Sequence, residues 1–153
     1  MKKIMMYGLF SLVFSGVAQA EVLSFDGARA DAQCREKWTR RGVLDDGMYQ
    51  YCLGLQREGY ENAVDLYGRY SSTTPVEKID EVVAFAIGKW AEGREYRMDM
   101  VAYEIEQQGE AYLNIEYEVN RGGVDAEALQ LCVEKWIDAN EPQWSMVEFC
   151  LKD

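Results

Sequence analysis

The chain has 153 residues, with 27 acids against 16 bases, no histidine and only two prolines, and 48% of it is hydrophobic. That balance excludes a collagen-like or disordered chain, and the length suits one domain. The acid excess argues against nucleic acid, whose binding needs lysine and arginine to neutralise phosphates, and against anionic lipid surfaces.

The N-terminus sets the compartment. Lys2 and Lys3 precede an apolar run from Ile4 to Val17, and Ala18-Gln19-Ala20 offers small residues for cleavage. This three-part pattern predicts a secretory signal peptide over 1–20. The run is too short to cross about 30 Å of hydrocarbon as an anchor. Cleavage removes two lysines and no acids, so residues 21–153 are expected as a single exported domain, periplasmic or secreted, whose formal charge moves from −11 to −13. No stable membrane insertion is expected, and a basic protein is the partner class that suits this charge.

Cysteine spacing carries the fold. Cys34 and Cys52 are eighteen positions apart, and so are Cys132 and Cys150. Superposing the two segments aligns Glu36, Lys37, Trp38, Met48 and Leu53 with Glu134, Lys135, Trp136, Met146 and Leu151, and sets Tyr51 over Phe149. A degenerate copy lies between them, with Lys89-Trp90, Met100 ten residues on, Tyr103, and Ala86 and Glu104 at the cysteine positions. Both cysteines are missing together there. Bonds within copies, Cys34–Cys52 and Cys132–Cys150, are therefore expected, formed in an oxidising compartment.

Each copy reads as two helices and a turn, over about 26–70, 75–119 and 125–151. The first helix is expected over 26–40 and the second over 46–70, followed by a polar linker ending at Thr74. Thr74-Pro75-Val76-Glu77 predicts the start of a third helix, with Thr74 as N-cap and Glu77 completing a capping box. That helix runs to about Glu92, and a fourth from Arg94 toward Val119. Within it Leu113, Ile115, Tyr117 and Val119 alternate with polar residues, so a short strand near 113–119, paired with Val22 to Phe25, competes with helix. A 52-residue offset favours helix, because Leu53, Gln56, Tyr60, Ala63 and Tyr67 fall on Ile105, Gln108, Tyr112, Ile115 and Val119, spaced three, four, three and four. Helices over 125–139 and 143–151 complete the set. The expected fold class is all-α: three degenerate disulfide-stapled helical hairpins packed as a compact array of about six helices. Tryptophan and methionine lie one turn from the cysteine positions, so Trp38 with Met48, Trp90 with Met100 and Trp136 with Met146 are the expected core contacts of the copies.

The chemistry is mostly absence. Without histidine, Ser-His-Asp and Cys-His catalysis and His-rich zinc sites are excluded, and no phosphate loop, G-x-S-x-G or EF-hand spacing is present. No cofactor, no metal site and no enzymatic activity are expected, although adjacent acids such as Asp45 and Asp46, or Glu104 and Glu106, leave a carboxylate hydrolase as a minor alternative. The stretch from Met98 to Asn120 holds Asp99, Glu104, Glu106, Glu110, Glu116 and Glu118 and no base. Glu104, Glu106, Glu110, Glu116 and Glu118 are the expected docking residues for a basic partner, with a merely solubilising face as the competing reading. The expected function is protein–protein binding by an exported helical protein, in the manner of an inhibitor or immunity protein against a basic toxin or cell-wall hydrolase. A structural or stress-related envelope protein without a dedicated partner is the main alternative.

Overall fold

The computed structural model describes residues 23–138 and 141–152. The expected signal peptide and Val22 lie outside the described residues. Among the described residues, six helices and a two-strand ribbon follow in order: α1 (Gly27–Trp38), β1 (Thr39–Arg40), β2 (Val43–Leu44), α2 (Asp46–Ser71), α3 (Val76–Trp90), α4 (Met98–Asn120), α5 (Ala126–Trp136) and α6 (Trp144–Cys150). The all-α class and both disulfides match expectation, with Cα atoms 5.8 Å apart across Cys34–Cys52 and 5.9 Å across Cys132–Cys150.

Local sequence explains most helix starts. Asp26, Asp45 and Asp125 cap α1, α2 and α5, their carboxylates accepting from the amides of Arg29, of Met48, and of both Glu127 and Ala128. Helices α4 and α6 lack a side-chain cap of their own. Their free amides are met from the preceding packed helix instead: Gln56 Oε1 accepts from Met98 N at 2.8 Å, and Gln108 Oε1 accepts from Ser145 N at 3.0 Å. Both glutamines are only 4% exposed. They stand at the same position under the 52-residue offset, so α2 caps α4 as α4 caps α6.

Close packing of α2 on α4 depends on two glycines. A Cβ on Gly59 would lie 2.3 Å from the backbone nitrogen of Asp99, and one on Gly109 would lie 2.6 Å from the Tyr70 ring. The main core forms around these contacts, with Tyr70, Ile79, Val83, Val101, Ile105 and Val147 fully enclosed. Cys34, Tyr49 and Cys52 form a separate small cluster with Trp38, Leu44 and Leu53 against it.

Helices α1, α3 and α5 each end at a tryptophan, and the next helix begins eight residues later, at Asp46, Met98 and Trp144. After Trp38 the chain makes the β1–β2 ribbon, whose tip holds Arg41 and Gly42 at φ of 53° and 81°. Successive left-handed residues suit the twist of a tight hairpin turn, and glycine adopts that conformation without a steric penalty. Sequence pattern marks Gly42 as a turn, but two-residue strands are too short to show a period. Thr39 pairs with Leu44, and Ile137 makes a bridge to Pro142 at the positions 98 residues on. The α3–α4 connection has no strand, yet Arg97 N donates to the Trp90 carbonyl at 2.9 Å as Asp45 N does to that of Trp38 at 3.0 Å.

Residues 113–119 are helical, as the 52-residue offset favours, and the competing short strand does not form: the apolar alternation does not track burial, because Ile115 is enclosed while Tyr117 and Val119 face solvent. One local expectation needs correction: the capping box at Thr74 does not form. Helix α3 starts at Val76, and Thr74 is buried, with its amide donating to the Tyr70 carbonyl to close the end of α2. Helix α2 itself runs to Ser71, into the expected linker.

Candidate functional site

A groove of about 1060 Å³ lies between α3 and the start of α6, floored by α4. Helix α3 contributes Glu77, Glu81, Ala84 and Gly88, spaced four, three and four, together with Asp80. One helical face therefore presents carboxylates at one end and small residues at the other. Its opposite face buries Ile79, Val82, Val83 and Ala86, which fixes the orientation. Glu141, Ser145 and Met146 make the second wall, and Glu104 and Gln108 the floor.

Glu104 is 6% exposed. Its Oε2 receives Lys89 Nζ at 2.9 Å and Trp90 Nε1 at 3.0 Å, and its Oε1 receives Gln108 Nε2 at 2.9 Å. Burial alone pushes its pKa up, but the hydrogen bonds from Trp90, Lys89 and Gln108 outweigh burial and hold it below the usual glutamate value. Glu104 is thus ionised and satisfied at neutral pH, the opposite of a general acid, whose pKa must be raised. Lys89 also lies 5.1 Å from the Phe85 ring centre. At the rim Asp80 accepts from Tyr67 Oη at 2.9 Å, and Lys78 pairs with Glu81 at 3.0 Å. The lining holds five carboxylates, Glu77, Asp80, Glu81, Glu104 and Glu141, against one cation, Lys89, already spent on Glu104.

The base-free stretch of α4 does not make one surface. Successive residues turn by about 100°, so acids at irregular spacing are dealt around the helix. Glu104 points into the groove floor and is removed from any exposed docking face. Glu106 lies on the α2 side, and Glu110 accepts from Tyr70 Oη at 3.3 Å. Glu116 neighbours Tyr112, whose hydroxyl is pushed up to about 12 by burial and by its hydrogen bond to that carboxylate. Glu118 pairs with Arg121 at 2.8 Å. The acids that do converge, Glu77, Asp80, Glu81 and Glu141, come from α3 and the α5–α6 connection. Their legible signal was the helical spacing of α3, which places acids opposite Ile79 and Val83.

The three tryptophan–methionine pairs have different surroundings. Trp38 packs in the small cluster beside Cys34–Cys52, Trp90 donates to Glu104, and Trp136 packs against the main core under Lys135, 5.1 Å from the ring centre. Met146 opens on the groove, while Met48 and Met100 are half-buried.

Among the described residues no group of histidine, cysteine or acidic side chains is arranged to hold a metal ion, and no helix is long and apolar enough to cross a membrane. Neither a family model, nor a curated protein, nor a solved structure matches this chain.

Proposed function

We propose that the mature chain is an exported, non-enzymatic binding protein that receives a basic segment of another protein in the α3–α6 groove. The observation that carries this reading is the lining of five carboxylates with one cation that Glu104 neutralises. A groove of one charge sign between low-dielectric walls concentrates field and speeds the arrival of an oppositely charged partner. Phe85 and Met146 add apolar contact within the same walls. The two disulfides support an oxidising destination, and inhibition of a basic toxin or cell-wall hydrolase by occlusion is the concrete form of the reading.

The test uses the mature, oxidised protein and its Glu77→Lys/Glu81→Lys variant against a panel of purified basic cell-wall hydrolases and basic toxins. Binding and inhibition are expected at low salt, falling steeply as salt rises and lost in the variant. Equal inhibition by the variant, or no binding across the panel, overturns the assignment to this groove.

A further inference from the structure

A basic counterpart to the α3–α6 groove is carried by the chain itself. The β1–β2 ribbon presents Thr39, Arg40, Arg41, Gly42 and Val43 in a row, all exposed, and Val43, at 72%, is the most exposed large apolar side chain among the described residues. Arg40 and Arg41 form no ion pair or side-chain hydrogen bond with any described residue. Asp45, the next acid along the chain, is engaged with the amide of Met48. Arg41 also holds φ at 53°, a left-handed conformation that, among the described residues, only glycines share with it. Asparagine or glycine fits such a turn position better, so the arginine stands there against local preference, and what it adds is charge at the tip.

The third copy reverses that sign. At the positions 98 residues on from Arg40 and Val43 stand Asp138 and Glu141, in the connection whose Glu141 walls the groove. Among the groove acids, Glu81 is paired with Lys78 and Glu104 with Lys89, whereas Glu77, Asp80 and Glu141 meet no cation among the described residues. Asp80 accepts from the Tyr67 hydroxyl and Glu141 from the Gln143 amide, neutral donors that leave both charges uncompensated. The tip is held away from its own groove. Its helices α1 and α2 pack on each other and are joined by Cys34–Cys52, the Asp45 amide closes the ribbon on the Trp38 carbonyl, and no ribbon residue lines the groove.

We propose that the ribbon tip of one copy enters the α3–α6 groove of a second copy, with Arg40 and Arg41 toward Glu77, Asp80 and Glu141, and Val43 against Ala84 and Met146. Resting on the reading of that groove as a receptor for basic segments, this contact adds a regulation: self-association covers the groove until a more basic partner displaces the tip. Each copy carries one tip and one groove, so the contact is head to tail and either closes into a ring or extends into short chains. At about 0.15 M salt the Debye length is about 8 Å, so repulsion between whole acidic copies is screened while ion pairs formed in contact survive. The tip alone buries less than a standard interface, which makes the association weak and reversible.

The mature, oxidised protein is followed by sedimentation velocity from roughly 10 μM to 1 mM, the span suited to a small transient interface. Its mean mass is expected to rise with concentration at that salt and to return to the monomer at about 1 M. Arg40→Glu/Arg41→Glu and Glu77→Lys/Glu81→Lys are each expected to stay monomeric. Mixed in equal amounts they are expected to associate again, because the intact tip of the second fits the intact groove of the first and the reversed tip meets the reversed groove. Both variants keep a net negative charge, so their association is not bulk attraction, and it also shows that both are folded. Wild type that stays monomeric throughout, a tip variant that associates like wild type, or a mixture that stays monomeric overturns the proposal. The tip variant keeps its own groove and is expected to bind basic hydrolases at least as well as wild type. Binding across that panel without self-association overturns this contact and leaves the proposed function standing, whereas self-association without binding to the panel supports the contact and removes the proposed function.

Discussion

The α1–α2 and α3–α4 helix pairs share a frame and differ in what closes it. In both, the first helix ends at a tryptophan whose carbonyl receives an amide seven residues on, and the second helix starts one residue later. Where α1–α2 has Cys34 bonded to Cys52, α3–α4 has Ala86 and Glu104. Ala86 is fully enclosed, and Glu104 gathers Lys89, Trp90 and Gln108. A covalent staple stands in one pair and a polar clasp in the other. The difference follows the packing. The Cys34–Cys52 cluster is small and apart from the main core, whereas Ala86 lies inside that core. A segment with little apolar area to bury gains most from a crosslink, which acts by constraining the unfolded chain.

The largest expected effects come from cutting the staples. Cys34→Ala/Cys52→Ala and Cys132→Ala/Cys150→Ala should each lower stability by about 3 kcal/mol, the entropy of a loop of this length. Urea unfolding at pH 7 measures the loss. Hydrogen exchange locates it: the first variant should lose protection around the β1–β2 ribbon and the second in α5, while α2 and α4 keep theirs. An unchanged midpoint for the first variant would show that the small cluster holds without its crosslink.

Removing the clasp should cost less and, unlike removing a crosslink, depend on pH. Glu104→Gln weakens three bonds to a charged acceptor, each kind worth about 1.5–3 kcal/mol when buried. Lys89 is 43% exposed along its side chain, so water replaces part of its contribution, and a net loss of about 2 kcal/mol is expected. The folded-state pKa of Glu104 is depressed, despite burial, by the hydrogen bonds from Trp90, Lys89 and Gln108. Its stabilisation is therefore complete above the unfolded value of about 4.3 and is lost as pH falls through the lower folded value. The gap between wild type and Glu104→Gln should close in acid, as thermal melts across pH 7 to 2.5 would show. The converse change, Ala86→Cys/Glu104→Cys, should form a third disulfide, seen as a loss of two hydrogens by mass. Two persistent free thiols would mean that these positions do not correspond to Cys34 and Cys52.

Legibility in the sequence followed the range of each interaction. Disulfide pairing was readable because two equal intervals and a joint absence of cysteines constrain connectivity. Helix bodies were readable from periodicity, and the helical face shared by Gln56 and Gln108 was visible from the 52-residue offset. What those glutamines do was not, since an amide that caps another helix leaves no local pattern. Thr74 misled for the opposite reason: its local motif is strong, but packing against the end of α2 prevails. The acidic run of α4 looks like one surface in the sequence because the acids follow one another along the chain, while the helix distributes them in angle. The acids that converge on a groove come from two other segments, and only tertiary packing brings Glu77 and Glu141 to the same opening.

The smallest effects test whether the capping glutamines act alike in the two regions. Gln56→Ala removes the acceptor for Met98 N, and a lost N-cap costs about 1 kcal/mol. Gln108→Ala removes the acceptor for Ser145 N and also the donor to Glu104. If capping is the whole role of both, the two losses should match and neither should vary with pH. Because Gln108 also helps hold Glu104 ionised, its loss should be the larger near neutrality and should raise the pH at which the Glu104 contribution disappears, whereas Gln56→Ala should shift the acid melting curve uniformly. Parallel acid melts of the two variants separate a simple cap from a cap joined to the clasp.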